Sequence, residues 1–418
     1  MATRHDPSRH PGDRCLDRAT RWCHDRVVEL DVDPFALDVL ADPLPVDVAI
    51  RETAPFVWLP AHGVWATGRH EEVAAAFRDP ATWSSAAGTG LTDIRRGETW
   101  RPPSVLLDAD PPAHTRARRV MNRVLQPRAL AGLAERFAAA AEEVVDDALA
   151  AGEVDAAVAV AERFPMTVLP DAVGMAPEGR EYLLPYADLN FQSMGPPGVL
   201  REEAERRGEG AREYVAWQMR REALAPDGIG AAIHAYVDSG DVTADEAALL
   251  VRSFLSAGID TTILAFASVI HELARRPEQW AALHDDPGLA RAAFEEGLRF
   301  HTPSPVIGRT ATREVEVDHG VVAPDTKILL MLGAANRDPR RWDDPDAFDL
   351  HRRAAGHTAF GAGVHNCVGQ VIARMEAEAL LGTLARRVAR LEPAGESTPR
   401  LSNWLRGFAS VPVRFVPA

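Results

Sequence analysis

The chain has 418 residues and a formal net charge of −15 at pH 7, with 46% hydrophobic and 26% charged residues. This composition is ordinary for a globular protein, and the excess of negative charge disfavours general binding to nucleic acid or to an anionic membrane. No stretch reads as a run of about 18 apolar residues or as an export signal, so we expect a cytoplasmic protein that does not enter the membrane.

Residues 1–26 are rich in Arg and His and show no apolar periodicity, which predicts a flexible leader without chemistry. Cys15, Cys23 and His24 lie close together in it, but their spacing fits no common zinc pattern. The third cysteine is Cys367, and three cysteines are too few and too odd in number for a disulfide framework. We therefore expect reduced thiols.

The elements that follow predict a mainly α-helical protein. At 55–67, aromatic and β-branched residues alternate around a Gly turn, which indicates a β-hairpin, and RHEEVAAAFRDP (69–80) reads as a helix. Ala-rich amphipathic segments predict further helices at 113–150, 155–175 and 200–224. Strand-like runs return only at 314–317, 327–332 and 410–416.

The longest predicted helix runs from Thr243 to Pro277, about 30 residues or roughly 45 Å. Thr243 and Glu246 form a capping-box pattern at its start, and Pro277 ends it. Its middle, SAGIDTT (256–262), places a glycine, a carboxylate and two β-branched hydroxyl side chains inside an apolar element. That arrangement costs stability and indicates that something binds there, although a harmless kink is the alternative.

A second unusual segment is FGAGVHNCVGQ, Phe360 to Gln370, just before a helical stretch. Three glycines around one cysteine indicate a loop whose backbone closely approaches a flat or bulky partner. The N–H groups of such a loop and of the following helix can stabilise a thiolate at Cys367. A thiolate held in this way is a ligand for iron.

The loop resembles the haem-binding loop of the cytochrome P450 superfamily, and three further segments match that family in order. AGIDTT (257–262) is similar to its oxygen-activating helix, EEGLR (295–299) to its Glu-x-x-Arg motif, and 336–352 to its meander. The resemblance implies one domain over 27–418, a triangular helical prism with a small β-rich lobe. It also implies haem b with Cys367 as the axial iron ligand.

Further site residues follow from the same resemblance. Charged side chains would hold the haem propionates, because two buried carboxylates need charge-assisted donors. These residues are His114, Arg118, Arg309 and His365, and Phe360 joins the cofactor site. The family's buried structural network corresponds to Glu296, Arg299 and Arg352.

The pair Asp260 and Thr261 is expected to deliver protons during dioxygen activation, because the reaction needs a carboxylate and a hydroxyl side by side. A peroxygenase, a dehydratase or a haem-thiolate ligand sensor would not need this pair, and these stay as alternatives. The chain has no flavin or iron–sulfur motif, so a ferredoxin and its reductase, fed by NADH or NADPH, are expected as partners.

A docking surface for that ferredoxin is predicted between Pro111 and Ala134, which contains no acidic residue. An acidic partner would be attracted to its positive charge, although an ordinary Arg-rich helix face is the alternative. The arginines of this segment are Arg116, Arg118, Arg119, Arg123 and Arg128.

The predicted substrate is a small aromatic carboxylate. Ser253, Ser256 and Asp260 fall on nearly one face of the long helix with Arg252 beside them, which suits a ligand with an anionic head. The surrounding segments resemble the bacterial 4-methoxybenzoate O-demethylases, which implies a carboxylate anchor and oxidation at the para substituent. The anchor residues implied are Arg101, Ser104, Arg252 and Ser253.

The rest of the expected pocket departs from that subgroup. Leu107, Phe191, Met194 and Ile307 are assigned to its lining. The subgroup lines its pocket with phenylalanines, whereas this chain keeps Phe191 but has Met194 and Ile307. Methionine and isoleucine leave a more adaptable cavity than stacked rings, so the preferred para substituent is expected to vary. A cinnamate, an alkylbenzoate or a phenol ether remains an alternative substrate.

Overall fold

The computed structural model describes residues 27–97 and 99–418. The predicted leader, with the Cys15, Cys23 and His24 group, lies outside the described residues. The α-helices are α1 (Leu37–Ala41), α2 (Leu44–Thr53), α3 (His70–Arg78), α4 (Ala113–Val124), α5 (Leu133–Ala151), α6 (Arg163–Val173), α7 (Leu183–Gln192), α8 (Val199–Arg207), α9 (Ala211–Gln218), α10 (Ile229–Asp238), α11 (Ala244–Ala257), α12 (Asp260–Arg275), α13 (Pro277–Asp285), α14 (Ala290–His301), α15 (Leu332–Ala335) and α16 (Gln370–Arg387).

The strands are short. They are β1 (Val57–Leu59), β2 (Val64–Thr67), β3 (Trp83–Ser84), β4 (Glu153–Asp155), β5 (Val306–Ala311), β6 (Val315–Val317), β7 (Gly320–Val322), β8 (Lys327–Met331), β9 (Val388–Pro393), β10 (Thr398–Pro399), β11 (Phe408–Ser410) and β12 (Pro412–Pro417). A five-stranded sheet has the order β1-β2-β8-β5-β3, and only its β2–β8 pairing is parallel. The other sheets are β4-β12-β9, β6-β7 and β10-β11.

The helical core surrounds α12, most of whose residues are buried. The helix packs against α14 and against a π-helical turn, Ala157–Glu162, that leads into α6. Phe266 of α12 lies between Phe164 and Phe294, with ring centroids 6.2 and 5.5 Å away. A mainly α-helical fold with a small β-rich part is therefore confirmed.

Several local predictions hold. β1 and β2 form the hairpin expected at 55–67. Thr243 and Glu246 make both hydrogen bonds of the capping box at the start of α11. The long helix is interrupted, however, because Gly258 and Ile259 separate α11 from α12.

Two predictions from the sequence need correction. The sequence did not predict strands β3, β4, β5, β7, β9 and β10. Of these, β5 is almost wholly buried, so it lacks the alternation that marks a strand with one exposed face. The expectation that no segment is apolar enough to span a bilayer is also wrong. Taken together, Ala244–Arg275 passes that test by length and hydropathy, but 78% of its most apolar window is buried inside the protein. A core helix gives the same signal.

Candidate active site

A large cavity lies between the α11–α12 junction on one side and the Cys367 loop on the other. It encloses about 1610 Å³ of space between protein atoms, its open mouth included. Both Thr261 and Cys367 line it.

The Cys367 loop has a backbone that few residues other than glycine would allow. Gly361 and Gly363 both have φ +66°, and a Cβ on Gly363 would lie 2.4 Å from the carbonyl oxygen of Phe77. The Cys367 N–H donates to the Phe360 carbonyl at 2.7 Å, which closes the loop. These contacts fix the position of the sulfur at the cavity wall.

Cys367 is in a setting that suits a metal-bound thiolate. Burial raises the pKa of its thiol, while the N–H groups of Gly369 and Gln370 and the charge of Arg118 act to lower it. Burial outweighs these donors, so a thiolate here needs a further positive charge. An iron ion bound to the sulfur supplies that charge.

Four basic side chains lie together beside the cavity, and among the described residues no carboxylate comes closer than 4.0 Å to any of them. The His114 and His365 rings are 4.3 Å apart, and His114 Nδ1 and His365 Nε2 have no hydrogen-bond partner among the described residues. The nearest carboxylate to His365, that of Asp110, is 4.0 Å away. Arg118 donates to the Asn366 carbonyl and to Asn122 at 3.0 Å.

The fourth, Arg309 on β5, is 2% exposed, and its guanidinium donates only to the Gly308 carbonyl among the described residues. Burial lowers the pKa of Arg309 to about 10, and burial with the nearby Arg309 charge lowers the pKa of His365 to about 3. A buried arginine without a counter-ion and unpaired imidazole nitrogens are both costly, so this cluster fits a ligand whose carboxylates accept from Arg309 and Arg118 and from the two histidines. Together with Cys367 on the wall of the same cavity, it fits haem.

The opposite wall is the break between α11 and α12. Thr261 Oγ1 donates to the Ala257 carbonyl at 2.8 Å, and Thr262 Oγ1 donates to the Gly258 carbonyl at 3.1 Å. These hydroxyls bond the helix carbonyls where the regular helix is interrupted. A Cβ on Gly258 would lie 2.8 Å from the Phe254 carbonyl oxygen, so a larger residue would disturb this arrangement.

Asp260 is fully buried behind Thr261. Its Oδ2 accepts a hydrogen bond from Arg400 Nη2 at 3.1 Å, whereas its Oδ1 has no partner among the described residues. Burial raises the pKa of Asp260 and outweighs the effect of Arg400. Arg400 was not anticipated, because no pattern in the sequence joins residues 140 positions apart.

The substrate residues expected from the sequence all line the same cavity. They are Arg101, Ser104, Leu107, Phe191, Met194, Arg252, Ser253, Ser256 and Ile307. Asn190 and Trp404 also line it and were not anticipated. No periodicity distinguishes these two residues in the sequence.

Hydrogen bonding separates the two arginines of the expected anchor. Arg101 is occupied, because it donates to Asp108 at 2.9 Å and to Asn190 at 2.8 Å. Arg252 is 3% exposed, and its Nη1 has no partner among the described residues. Burial lowers the pKa of Arg252 to about 10, with the charge of Arg101 acting in the same direction. Arg252 is therefore the group in this part of the cavity that most needs an anion.

The three serines on this part of the cavity wall, the anchor residues Ser104 and Ser253 and the neighbouring Ser256, all form hydrogen bonds with the backbone. Ser104 Oγ accepts from the N–H groups of Leu106 and Leu107 at 3.2 and 3.0 Å. Ser253 and Ser256 donate to carbonyls four residues earlier, at 3.2 and 3.1 Å. The hydroxyl proton of Ser104 has no fixed acceptor in the described residues, so Ser104 is the better placed of the three to donate to a ligand.

The expected structural network is present away from the cavity. Arg299 donates twice to Glu296, each time at 2.8 Å, and both side chains are fully buried. Arg352 reaches the same carboxylate at 3.2 Å. Arg299 also donates to the carbonyls of Asn336, Pro345 and Ala347, so its whole guanidinium is satisfied.

The predicted positive patch on α4 is smaller than the sequence suggested. Arg116 pairs with Glu246, Arg123 lies 3.6 Å from Asp241, and Arg118 lines the cavity. Arg119 and Arg128 are exposed and form no ion pair in the described part of the chain. Acidic side chains from distant segments thus reduce the positive charge that this segment presents, and the prediction of a ferredoxin surface here stays a prediction.

Comparison with known proteins gives consistent matches. The family model "Cytochrome P450" matches residues 288–416. Cytochrome P450 CYP199A2 of Rhodopseudomonas palustris is 49% identical over 94% of this chain and 95% of that protein, and cytochrome P450 107B1 of Saccharopolyspora erythraea is 31% identical over 84% and 89%. The solved structure of cytochrome P450 CYP109Q5 from Chondromyces apiculatus superposes with a TM-score of 0.79 at 30% identity, covering 93% of this chain and 99% of that one.

Proposed function

Since the chain belongs to the cytochrome P450 family of haem-thiolate mono-oxygenases, we propose that it oxidises a small aromatic carboxylate at its para substituent. The favoured substrate class is a para-substituted benzoate, and the favoured reactions are O-demethylation and hydroxylation. Each turnover would consume dioxygen, two electrons and two protons, and would give water with the oxygenated product.

The single observation that carries this proposal is Arg252, a buried cation on the cavity wall with an unpartnered Nη1. A substrate carboxylate would supply the missing acceptor through a charge-assisted hydrogen bond. Arg101, held by Asp108 and Asn190, adds positive charge at the same end. An uncharged aromatic substrate would leave Arg252 unpaired.

Apolar side chains would then set how far the substrate reaches. Phe191, Met194 and Ile307 line the cavity. With the carboxylate fixed at Arg252, the ring would pack among these side chains and the para group would point away from the anchor. Holding the reacting group in one place in this way lowers the barrier by removing the entropy of orientation.

The haem would be held by Cys367 at the iron and by His114, Arg118, Arg309 and His365 at the propionates, with Phe360 beside them. When bound, it supplies the activation of dioxygen that a thiolate ligand favours. Asp260 would take protons from solvent, and the Thr261 hydroxyl would pass them into the cavity. For a para-methoxy substrate, oxygen insertion at the methyl group gives a hemiacetal that breaks down to formaldehyde and the phenol.

The electrons would come from a ferredoxin, itself reduced by a reductase with NADH or NADPH. Arg119 and Arg128, exposed and unpaired among the described residues, would attract an acidic partner to this face. We place the reaction in the cytoplasm, where the reduced nicotinamide is available.

The test is a spectral titration of the haem-loaded protein with 4-methoxybenzoate and with 4-methoxybenzamide, which differ in charge but hardly in shape. Losing a charge-assisted hydrogen bond costs about 1.5–3 kcal/mol, so the amide should bind roughly 10- to 150-fold more weakly. Arg252→Met should remove most of this discrimination. Arg221→Met, which removes an exposed arginine paired with Asp238, is the matched control and should keep it. Equal affinity for both compounds would contradict the carboxylate anchor and leave the family assignment intact.

A further inference from the structure

We propose that Arg400 is a positioning residue for the Asp260 carboxylate and that Asp188, on α7, keeps Arg400 in place. The inference rests on the proton-delivery role proposed for Asp260. It adds Arg400, from the C-terminal segment, and Asp188, from α7, to the proton delivery that the sequence analysis assigned to the long helix alone.

The geometry is a chain of ion pairs that runs from the interior outwards. Arg400 Nη2 donates at 3.1 Å to Asp260 Oδ2 and at 3.1 Å to Asp188 Oδ1. Asp188 Oδ2 accepts in turn from Arg207 of α8. The side chains are 0% exposed at Asp260, 23% at Arg400, 5% at Asp188 and 56% at Arg207. Arg400 is thus the contact between the buried acid and the solvent side.

One nitrogen therefore holds both carboxylates, and this fixes which oxygen of Asp260 is free. Oδ2 is committed to Arg400, and Oδ1 is buried without a partner in the described part of the chain. An unsatisfied buried carboxylate oxygen is costly unless it has a use. With Oδ2 held, Oδ1 is the oxygen available to take up and release a proton.

Helix α7, which contributes Asn190 and Phe191 to the cavity wall, holds Asp188 in position to bond Arg400. Asp188, Asn190 and Gln192 lie on it at every second position, and all three are 4% exposed or less. Asp188 bonds Arg400, Asn190 bonds Arg101, and Gln192 accepts from the Asn403 N–H at 3.0 Å. A ten-residue helix is thereby tied both to the substrate anchor and to the segment that carries Arg400.

The charges around Asp260 act in opposite directions. Burial raises the pKa of Asp260, the Arg400 and Arg207 charges lower it, and Asp188 raises it. Glu162, at the end of the π-helical turn, is a further half-buried acid near Asp260 and Arg400, and burial raises its pKa too. Losing Arg400 removes the strongest counter-charge, so Asp260 should keep its proton to higher pH.

The experiment compares Arg400→Met, Arg400→Lys and Asp188→Asn in the haem-loaded protein, with Arg221→Met as the matched surface control. Arg400→Met should lower the product formed per NADH by on the order of 10-fold, less than the roughly 100-fold loss expected for Asp260→Asn. Arg400→Lys should recover part of that loss, because it keeps the charge. Substrate affinity and the reduced carbon monoxide spectrum should stay unchanged. If Arg400→Met does not fold, Asp188→Asn replaces it in every comparison, with a smaller loss expected.

A double-mutant cycle separates positioning from general damage. In the Asp260→Asn background, Arg400→Met should have no further effect on coupling. A second readout is the carboxylic acid stretching band in infrared difference spectra, assigned to Asp260 by its loss in Asp260→Asn. Its titration midpoint should move to higher pH in Arg400→Met.

Two results would overturn the inference alone while the Asp260 role survives. One is an Arg400→Met loss of the same size in both backgrounds, and the other is an unmoved infrared midpoint with normal coupling. Normal coupling in Asp260→Asn itself would instead remove the proposed role of Asp260, and the inference with it.

Discussion

Two groups of buried polar side chains in this protein differ in how completely their hydrogen bonds are satisfied. Glu296, Arg299 and Arg352 are packed with almost every donor and acceptor satisfied. Arg252, on the cavity wall, and Asp260, next to the cavity-lining Thr261, are also buried, but each keeps an unpartnered atom in the described part of the chain. Buried polar groups in native proteins are nearly always paired, so the unpaired ones indicate where a ligand or a reaction completes the set.

The largest effect is expected at Cys367, which lines the same cavity as Arg252 and would bind the iron. Cys367→Ser should lose the red-shifted Soret band that thiolate-ligated haem shows when reduced and treated with carbon monoxide, because serine supplies no thiolate. The fold should survive, since the change is nearly isosteric, and circular dichroism checks this. An unchanged Soret band would mean that another residue holds the iron.

Substitution in the cluster of Glu296, Arg299 and Arg352 should instead lower the stability of the protein. Arg299→Met removes two of the three arginine hydrogen bonds to the buried Glu296 carboxylate and leaves Arg352 as its one remaining arginine partner, which costs about 3–5 kcal/mol of the free energy of unfolding. Denaturant titration and haem retention measure the loss. Arg291→Met, on the same helix α14, removes an exposed arginine that lies 3.5 Å from Glu378 and should cost less than about 1 kcal/mol. Similar losses in the two variants would contradict the distinction between the clusters.

Thr261 should show an effect on coupling and little on stability. Thr261→Ala should keep substrate binding and electron uptake but lower the product formed per NADH by about 10-fold, with hydrogen peroxide released instead, because proton delivery is lost. Thr262→Ala removes the same kind of hydroxyl-to-carbonyl bond one residue later and should lower coupling less. If both variants behave alike, the helix break matters and the Thr261 hydroxyl does not.

The smallest effect is expected at the partner surface. Arg119→Glu and Arg128→Glu should slow ferredoxin-driven turnover several-fold at low salt, because charged surface groups act mainly on association. The difference should fade as ionic strength rises, and substrate affinity should not change. Arg221→Glu is the control for charge alone. Turnover that ignores both substitutions and salt would place the partner on another face.

The sequence was most informative where a local pattern decides the structure. The capping box at Thr243 and the glycine spacing around Cys367 both depend on residues a few positions apart. It failed where distant segments meet. Arg400 finds Asp260 across 140 positions, and Glu246 neutralises Arg116 across 130. The buried strand β5 was missed for a different reason, because a strand covered on both faces carries no alternation.

The interruption at Gly258 and Ile259 has a structural consequence. It divides one predicted helix into two shorter ones, α11 and α12. At the interruption, the Thr261 and Thr262 hydroxyls donate to the Ala257 and Gly258 carbonyls. The Ala257 and Gly258 carbonyls therefore stay hydrogen-bonded although the regular helix stops between them and Asp260. Arg252 and Asp260 consequently lie on two separate helices, one on each side of the interruption, so the orientation of one side chain is not set by the same helical turn as that of the other.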